Sequence, residues 1–145
     1  MFLSSRSRDL LQIVYISTAR QPMSQVMLDS ILAASRRNNG RDGVTGLLLA
    51  GGRRFLQALE GPGEAVLATY GRICTDARHG AIVQLGCRTV EERQFGDWSM
   101  AFQHGGEAGP GTDLRSAVTR LIAPIDDLNL RAQFEGFAAL HAKAA

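Results

Sequence analysis

The sequence is short of several things, and each shortage excludes something. Lysine is nearly missing: fifteen of the sixteen basic residues are arginine, and Lys143 is the one lysine. Fourteen acidic residues almost balance them, and a net charge of +2 gives no electrostatic footprint for nucleic acid. There are two cysteines, Cys74 and Cys87, and neither sits in a Cys-x-x-Cys pair. With three scattered histidines (His79, His104, His141) they form no zinc-ligand spacing, so no metal is expected. Two reduced, buried thiols in a cytoplasmic protein are the expectation. Apolar runs are only a few residues long, which excludes a membrane-spanning helix. Met1–Asp9 carries Arg6 and Arg8 but no apolar stretch followed by a cleavage site, so a signal peptide is not expected. Nucleophile-elbow, P-loop, His-Glu-x-x-His and dinucleotide-binding glycine motifs are all missing, and no enzymatic activity is expected.

What is present is an ordinary folding composition. The chain has 145 residues, 45% hydrophobic and 21% charged. That length buries roughly 68–70% of its unfolded surface, enough for one domain with a true core. The arginine and alanine bias points to a GC-rich bacterial genome. Leu11–Ser17 is short, apolar and β-branched, and reads as a buried strand. Ser24 can cap a helix running to about Asn38, with Met27, Leu28, Ile31, Leu32 and Ala34 on one face and Asn38-Asn39-Gly40 as its stop. Val44–Ala50 and Arg53–Glu60 flank the Gly51-Gly52 turn and read as a hairpin. Pro62 and Glu64 open a second helix that ends near Asp76, striped by Val66, Leu67, Tyr70, Ile73 and Cys74. Ile82–Val90 is a fourth strand and Trp98–Gln103 a fifth.

The order β-α-β-β-α-β-β predicts an α+β, ferredoxin-like fold: a mixed five-stranded sheet with two helices on one face. His104–Gly111 is a linker by composition. Two amphipathic helices come next. One is capped by Thr112 with Leu114, Val118, Leu121 and Ile122 on its apolar side. The other spans about Asp127–Ala142 with Leu130, Phe134, Phe137 and His141 aligned. Both need a surface to cover, and the free face of the sheet is the nearest. The expected organisation is an N-terminal extension (1–10), a domain (11–103), and a linker with a helical cap (104–145).

Polar residues inside apolar strands are the unusual feature. Tyr15 lies mid-strand, and Gln57 shares a strand face with Phe55 and Leu59. A buried glutamine has four hydrogen-bonding sites to satisfy, and a buried tyrosine needs a partner. If their strands are neighbours they can satisfy each other, as a plain core pair or as something more. The glutamine amide can present either a donor or an acceptor to one neighbour by flipping, which a core built only for stability does not need. Trp98 and Met100, two apart on a strand, should share a face. The carboxylates read mostly as solvated surface groups at helix ends and around Glu91-Glu92.

Five pieces of the chain, in this order and spacing, resemble the BLUF family of flavin-based blue-light sensors. They are Ile13-Val14-Tyr15-Ile16-Ser17; Arg37-Asn38-Asn39 leading to Gly43-Val44-Thr45-Gly46-Leu47-Leu48; Arg54-Phe55-Leu56-Gln57-Ala58-Leu59-Glu60-Gly61; Tyr70-Gly71-Arg72-Ile73 with Asp76-Ala77-Arg78-His79; and Asp97-Trp98-Ser99-Met100. The resemblance covers roughly Leu11–Phe102. It implies FAD, held non-covalently with its ring between the two helices and over the sheet. Tyr15 then matches the photoactive tyrosine and Gln57 the switching glutamine. Asn39, with Asn38 beside it, matches the asparagine at the carbonyl edge of the ring. Arg72, Asp76, Arg78 and His79 match positions along the flavin or its tail, and Trp98 and Met100 match the last-strand pair.

The resemblance thus implies a photoreceptor without enzymatic output. Electron and proton transfer from Tyr15, then rearrangement of Gln57, would give a red-shifted state that relaxes in the dark. The residues after the sensor are too few for a cyclase or phosphodiesterase, so a downstream signalling protein or the chain's own dimer would carry the output. A light-insensitive ferredoxin-like interaction module and a flavin-dependent redox protein are the alternatives. Nucleic-acid binding through Arg36-Arg37 and Arg53-Arg54 is disfavoured, since both pairs read as solvated ends of elements.

Overall fold

The computed structural model describes residues 10–22, 24–96, 98, 100–104 and 114–141, with backbone alone for 101–104. Thr112, most of the linker, residues 1–9 of the expected N-terminal extension, Asp97, Ser99 and Ala142 lie outside the described residues, and Leu10, placed in that extension, belongs to the first strand. Strands β1 (Leu10–Ala19), β2 (Thr45–Gly51), β3 (Arg54–Pro62), β4 (His79–Val90) and β5 (Ala101–His104) form one sheet in the order β4-β1-β3-β2-β5. The first four pair antiparallel, and β5 pairs parallel to β2. Helices α1 (Gln25–Asp42) and α2 (Gly63–Cys74) come after β1 and β3; α3 (Leu114–Leu121) and α4 (Leu128–His141) close the described chain.

The two faces of the sheet carry separate cores, as strand alternation requires. Ile13, Tyr15, Leu48, Phe55 and Leu59 pack against Leu28 and Leu32 of α1 and Val66 of α2. Val14, Leu47, Leu49, Leu56 and Ala58 point the other way, against Leu114 and Val118 of α3 and Phe134 and Phe137 of α4. The C-terminal helices thus cover the face that α1 and α2 leave free. Each fully buried aromatic or aliphatic side chain there contributes about 1.5–3 kcal/mol relative to exposure. Burial on both faces explains why β2 reads as a continuous apolar run rather than an alternating one.

Several boundaries differ from those expected, each for a local reason. Helix α1 runs past Asn38-Asn39-Gly40 to Asp42, because Gly43 takes the left-handed cap (φ 74°) and its N–H bonds the Asn39 carbonyl. Its start is as expected: the Ser24 hydroxyl accepts from the Met27 N–H at 3.1 Å. Helix α2 ends at Cys74, and β4 begins at His79, three residues ahead of Ile82. Leu67, placed on the α2 apolar stripe, is 57% exposed. Cys74 and Cys87 are exposed rather than buried. Cys74 lies in the last turn of α2, and Cys87 lies on β4, an edge strand that is largely open to solvent.

Glu60 is the clearest exception to the reading of carboxylates as surface groups. It is fully buried. Its oxygens accept from Gln12 Nε2 at 3.0 Å, from the Gln94 N–H at 2.7 Å and from the Phe95 N–H at 3.2 Å. Bonds of this kind satisfy both buried carboxyl oxygens. They also anchor the segment between β4 and β5 to the centre of the sheet. Gln94 Oε1 in turn accepts from the N–H of Asp127, whose carboxylate caps the Leu130 N–H of α4 and pairs with Arg88.

Candidate functional site

The register of β1 against β3 sets Tyr15 directly opposite Gln57. Both are buried, at 2% and 3% exposure, which makes their pairing obligatory. The Tyr15 hydroxyl donates to Gln57 Oε1. The Gln57 amide nitrogen donates to Met100 Sδ at 3.3 Å. Its donor and acceptor ends are therefore committed to different neighbours. Burial drives the Tyr15 phenol far above its ordinary pKa, and Tyr70, Cys74 and Asp76 push the same way. The phenol is thus protonated at any physiological pH. Its ring also lies 5.6 Å from that of Tyr70, centroid to centroid, in a tilted pair.

Beside this pair a cleft of about 210 Å³ opens between α1, α2 and the sheet. Its walls are apolar: Ile31 of α1, Leu48, Phe55 and Leu59 of the sheet, and Ile73 of α2. Asn38, Asn39 and Gln57 bring carboxamides into it. Arg72, Asp76, Arg78 and His79 line it as well. The two arginine side chains are 47% and 36% exposed, which puts them at the mouth. That volume is below the ~300–1,000 Å³ of a pocket enclosing a whole drug-sized ligand.

The electrostatics of the mouth are set by one turn. Arg78 binds Asp76 through several contacts, the shortest 2.6 Å, and also reaches Ser30 of α1 at 3.2 Å. The hydrogen bond from Arg78 holds the Asp76 carboxyl below the usual carboxylate range, and the same bond raises Arg78. His79 is buried, and its Nδ1 lies 2.7 Å from the Ser17 hydroxyl. Burial lowers its pKa below the ordinary imidazole value.

Of the residues singled out from sequence, Asn38, Asn39, Gln57, Arg72, Asp76, Arg78 and His79 line one cleft, and Tyr15 stands behind Gln57. Trp98 and Met100 do not share a face. Both precede β5, which starts at Ala101 instead of Trp98, so strand alternation does not apply to them. Met100 turns to the Gln57 side, whereas Trp98 packs with the core under α3 and α4. Sequence reading missed Arg36, whose Nε donates to the Met100 carbonyl at 3.1 Å and ties that segment to α1. It also missed Ser35 and Thr69 on the cleft wall. Their polar side chains on helix faces toward the sheet were the available signal.

Comparison with known proteins settles the family. The sequence model described as "Sensors of blue-light using FAD" matches residues 10–101. The chain belongs to the BLUF family. It is 37% identical over 91 residues to the "Blue light- and temperature-regulated antirepressor BluF" of Escherichia coli (strain K12), covering 63% of this chain and 23% of that protein. It is 36% identical over 92 residues to the "Photoactivated adenylate cyclase subunit beta" of Euglena gracilis, covering 63% of this chain and 11% of that one. This chain therefore matches only a tenth to a quarter of those curated relatives. Among solved structures, "BlrB - a BLUF protein, dark state structure" superposes with a TM-score of 0.69 at 29% identity, over 94% of this chain and 96% of that one. Among the described residues no helix is long and apolar enough to cross a membrane, and no cluster of residues could hold a metal ion.

Proposed function

We propose that the cleft between α1 and α2 binds FAD and that Tyr15, Gln57 and Met100 form the switch that light resets. The observation that carries this reading is the buried chain from the Tyr15 hydroxyl to Gln57 Oε1 and from Gln57 Nε2 to Met100 Sδ, set at the wall of the cleft. The lining fits a flavin. Apolar side chains would flank a flat ring, carboxamides would meet its polar edge, and the arginines at the mouth would meet phosphate. Asn39 and Asn38 would hold the ring edge, and Arg72, Asp76, Arg78 and His79 the side leading to the tail.

When bound, FAD would supply a chromophore for blue light and an acceptor for one electron. Tyr15 would be the donor, since its phenol is redox-capable and it is buried against the cleft-lining Gln57. The phenol proton has one hydrogen-bond acceptor in this structure, Gln57 Oε1. Return of the electron and the proton to Tyr15 would leave Gln57 rotated or tautomerised, so that the atoms it presents to Tyr15, to Met100 and to the cleft exchange. A donor turned toward the cleft strengthens hydrogen bonding there, which lowers the energy of the optical transition. Met100 loses or keeps its contact according to the state of Gln57, and the population of the two networks is the signal.

The ferredoxin-like topology with an added fifth strand would serve this by bringing the 94–100 segment against both cores. Met100 touches one, Trp98 and Phe95 the other, so a shift at Met100 is felt under α3 and α4. We read the chain as a sensor without catalysis of its own, signalling in the cytoplasm to a downstream protein or within a homodimer. Titrating the apoprotein with FAD tests the reading. One equivalent should bind, and Gln57→Leu should keep the flavin yet lose the light-induced shift. A Gln57→Leu protein with a normal shift would overturn the assigned switch.

A further inference from the structure

Ser17 lies on the same face of β1 as Tyr15, two residues further on, and is fully buried. Its hydroxyl meets Nδ1 of His79 at 2.7 Å. The His79 ring stands against two elements. It is 6.3 Å from the Tyr15 ring and makes an edge contact with Phe55 of β3 at 5.8 Å. Among the described residues the Ser17 hydroxyl has no other hydrogen-bond partner. A buried hydroxyl proton needs an acceptor, and a bare Nδ1 is the one within reach. In a neutral imidazole the other nitrogen, Nε2, then carries the proton. Nδ1 accepts from the Ser17 hydroxyl, and the tautomer is fixed.

We propose that Ser17 is a positioning residue that holds His79 as the neutral tautomer protonated on Nε2, so that the ring next to Tyr15 carries no charge when Tyr15 gives up its electron. This role rests on the photochemistry proposed for Tyr15 but concerns a contact which that photochemistry leaves unused. An imidazolium beside Tyr15 would make removal of an electron from the phenol harder, because repulsion between two positive charges is poorly screened in a buried site. The charged groups around the ring are Asp76 and Arg78 from the α2–β4 turn and Arg20 from the end of β1. Tyr15 is the titratable neighbour on β1, and β3 presents Phe55. Arg20 also donates to the His79 carbonyl at 3.2 Å, which fixes the backbone that carries the ring. Burial and the two arginines oppose protonation and Asp76 favours it. Ser17 adds a bond that exists only while Nδ1 is bare.

The test uses two readouts on the FAD-loaded protein. The first is nitrogen NMR of ¹⁵N-histidine protein in the dark, assigned with His79→Gln. At neutral pH, His79 should show an unprotonated Nδ1 and a protonated Nε2. The second is the yield of the light-induced red shift against pH, for wild type, Ser17→Ala and Ser17→Thr. Wild type should lose yield on the acid side as His79 protonates in the NMR titration. Ser17→Ala should move both midpoints toward neutral pH together, with roughly 2–10-fold more protonated His79 at a given pH, the net worth of one neutral hydrogen bond. Ser17→Thr, which keeps the hydroxyl, should restore them. A charged ring, or a proton on Nδ1, in the dark wild type overturns the proposal, and that result stands even if Ser17→Ala fails to fold. Superimposable pH profiles for wild type and Ser17→Ala also overturn it. A wild-type protein with no red shift at any pH fails the photochemical reading instead, and the NMR still decides the tautomer.

Discussion

The Tyr15–Gln57 pair can be weighed by removing one partner and then both. Both side chains are almost fully buried, and one bond, from the phenol hydroxyl to Gln57 Oε1, joins them. Tyr15→Phe keeps the ring and its contact with Tyr70 but strips the donor from a buried carbonyl. An unsatisfied buried acceptor costs about 1–3 kcal/mol. For a chain of 145 residues that corresponds to a fall in Tm of roughly 3–9 °C. Gln57→Leu in the wild-type background should cost a similar amount, because the phenol hydroxyl is then orphaned. The double variant replaces both polar groups with apolar ones and should recover most of that loss. The cycle is therefore expected to show about 1–3 kcal/mol of coupling, read from urea or thermal unfolding of the apoprotein. Purely additive losses would refute the claim that these two groups exist to satisfy each other. In the FAD-loaded protein both single variants should stay yellow and lose the red shift.

Other contacts give three further expected outcomes. Gly46→Ala should be severely destabilising, since a Cβ there would lie 2.1 Å from the Ala58 carbonyl oxygen and 3.2 Å from Met100 Cε. A drop in Tm well beyond that of an exposed Gly→Ala change is the measurement, and an unchanged melt contradicts the packing described. Met100→Ala removes the sulfur that Gln57 Nε2 contacts, so dark recovery should speed up several-fold, read by absorbance after a blue flash. Stability should fall in two steps on acidification. His79 is held below its ordinary value of 6.5, so the unfolded chain takes up that proton first and stability declines as pH drops below about that value. Asp76 is held below the usual carboxylate range of about 3.8, so its contribution is present above that pH and disappears as pH falls through its lower folded value. Urea midpoints against pH check both; burial also lowers His141, so His79→Gln should shrink the first step rather than abolish it.

Much of the fold was legible because period and punctuation agree in this sequence. The β-branched run at Leu11–Ser17 and the Ser24 cap each specify one local outcome, and the structure has both. The hairpin expected around Gly51-Gly52 also forms, but its turn is Gly52-Arg53, because Gly51 still pairs with Arg54. Boundaries failed where two signals competed. Asn38-Asn39-Gly40 can stop a helix, yet Gly43 three residues on offers a better left-handed cap, and the helix runs to it. Met100 and Trp98 were misplaced because strand alternation was applied to residues that come before the strand. Their opposite placement depends on long-range bonds, from Gly46 N–H to the Trp98 carbonyl and from Arg36 to the Met100 carbonyl, which no local pattern encodes. The burial of Glu60 was equally invisible. A carboxylate next to Gly61-Pro62 reads as a helix-end charge until Gln12, Gln94 and Phe95 are brought to it across the sheet. The Tyr15–Gln57 pair was legible as a possibility from polarity within apolar strands, and the register made it a contact.

Light sensing by the Tyr15–Gln57–Met100 chain is decided most simply by the absorption spectrum of the purified, FAD-loaded protein, taken in the dark and then under blue light. The flavin bands should move slightly to the red without bleaching and return in the dark. A spectrum that bleaches, or a protein that takes up no FAD, would contradict the proposed switch.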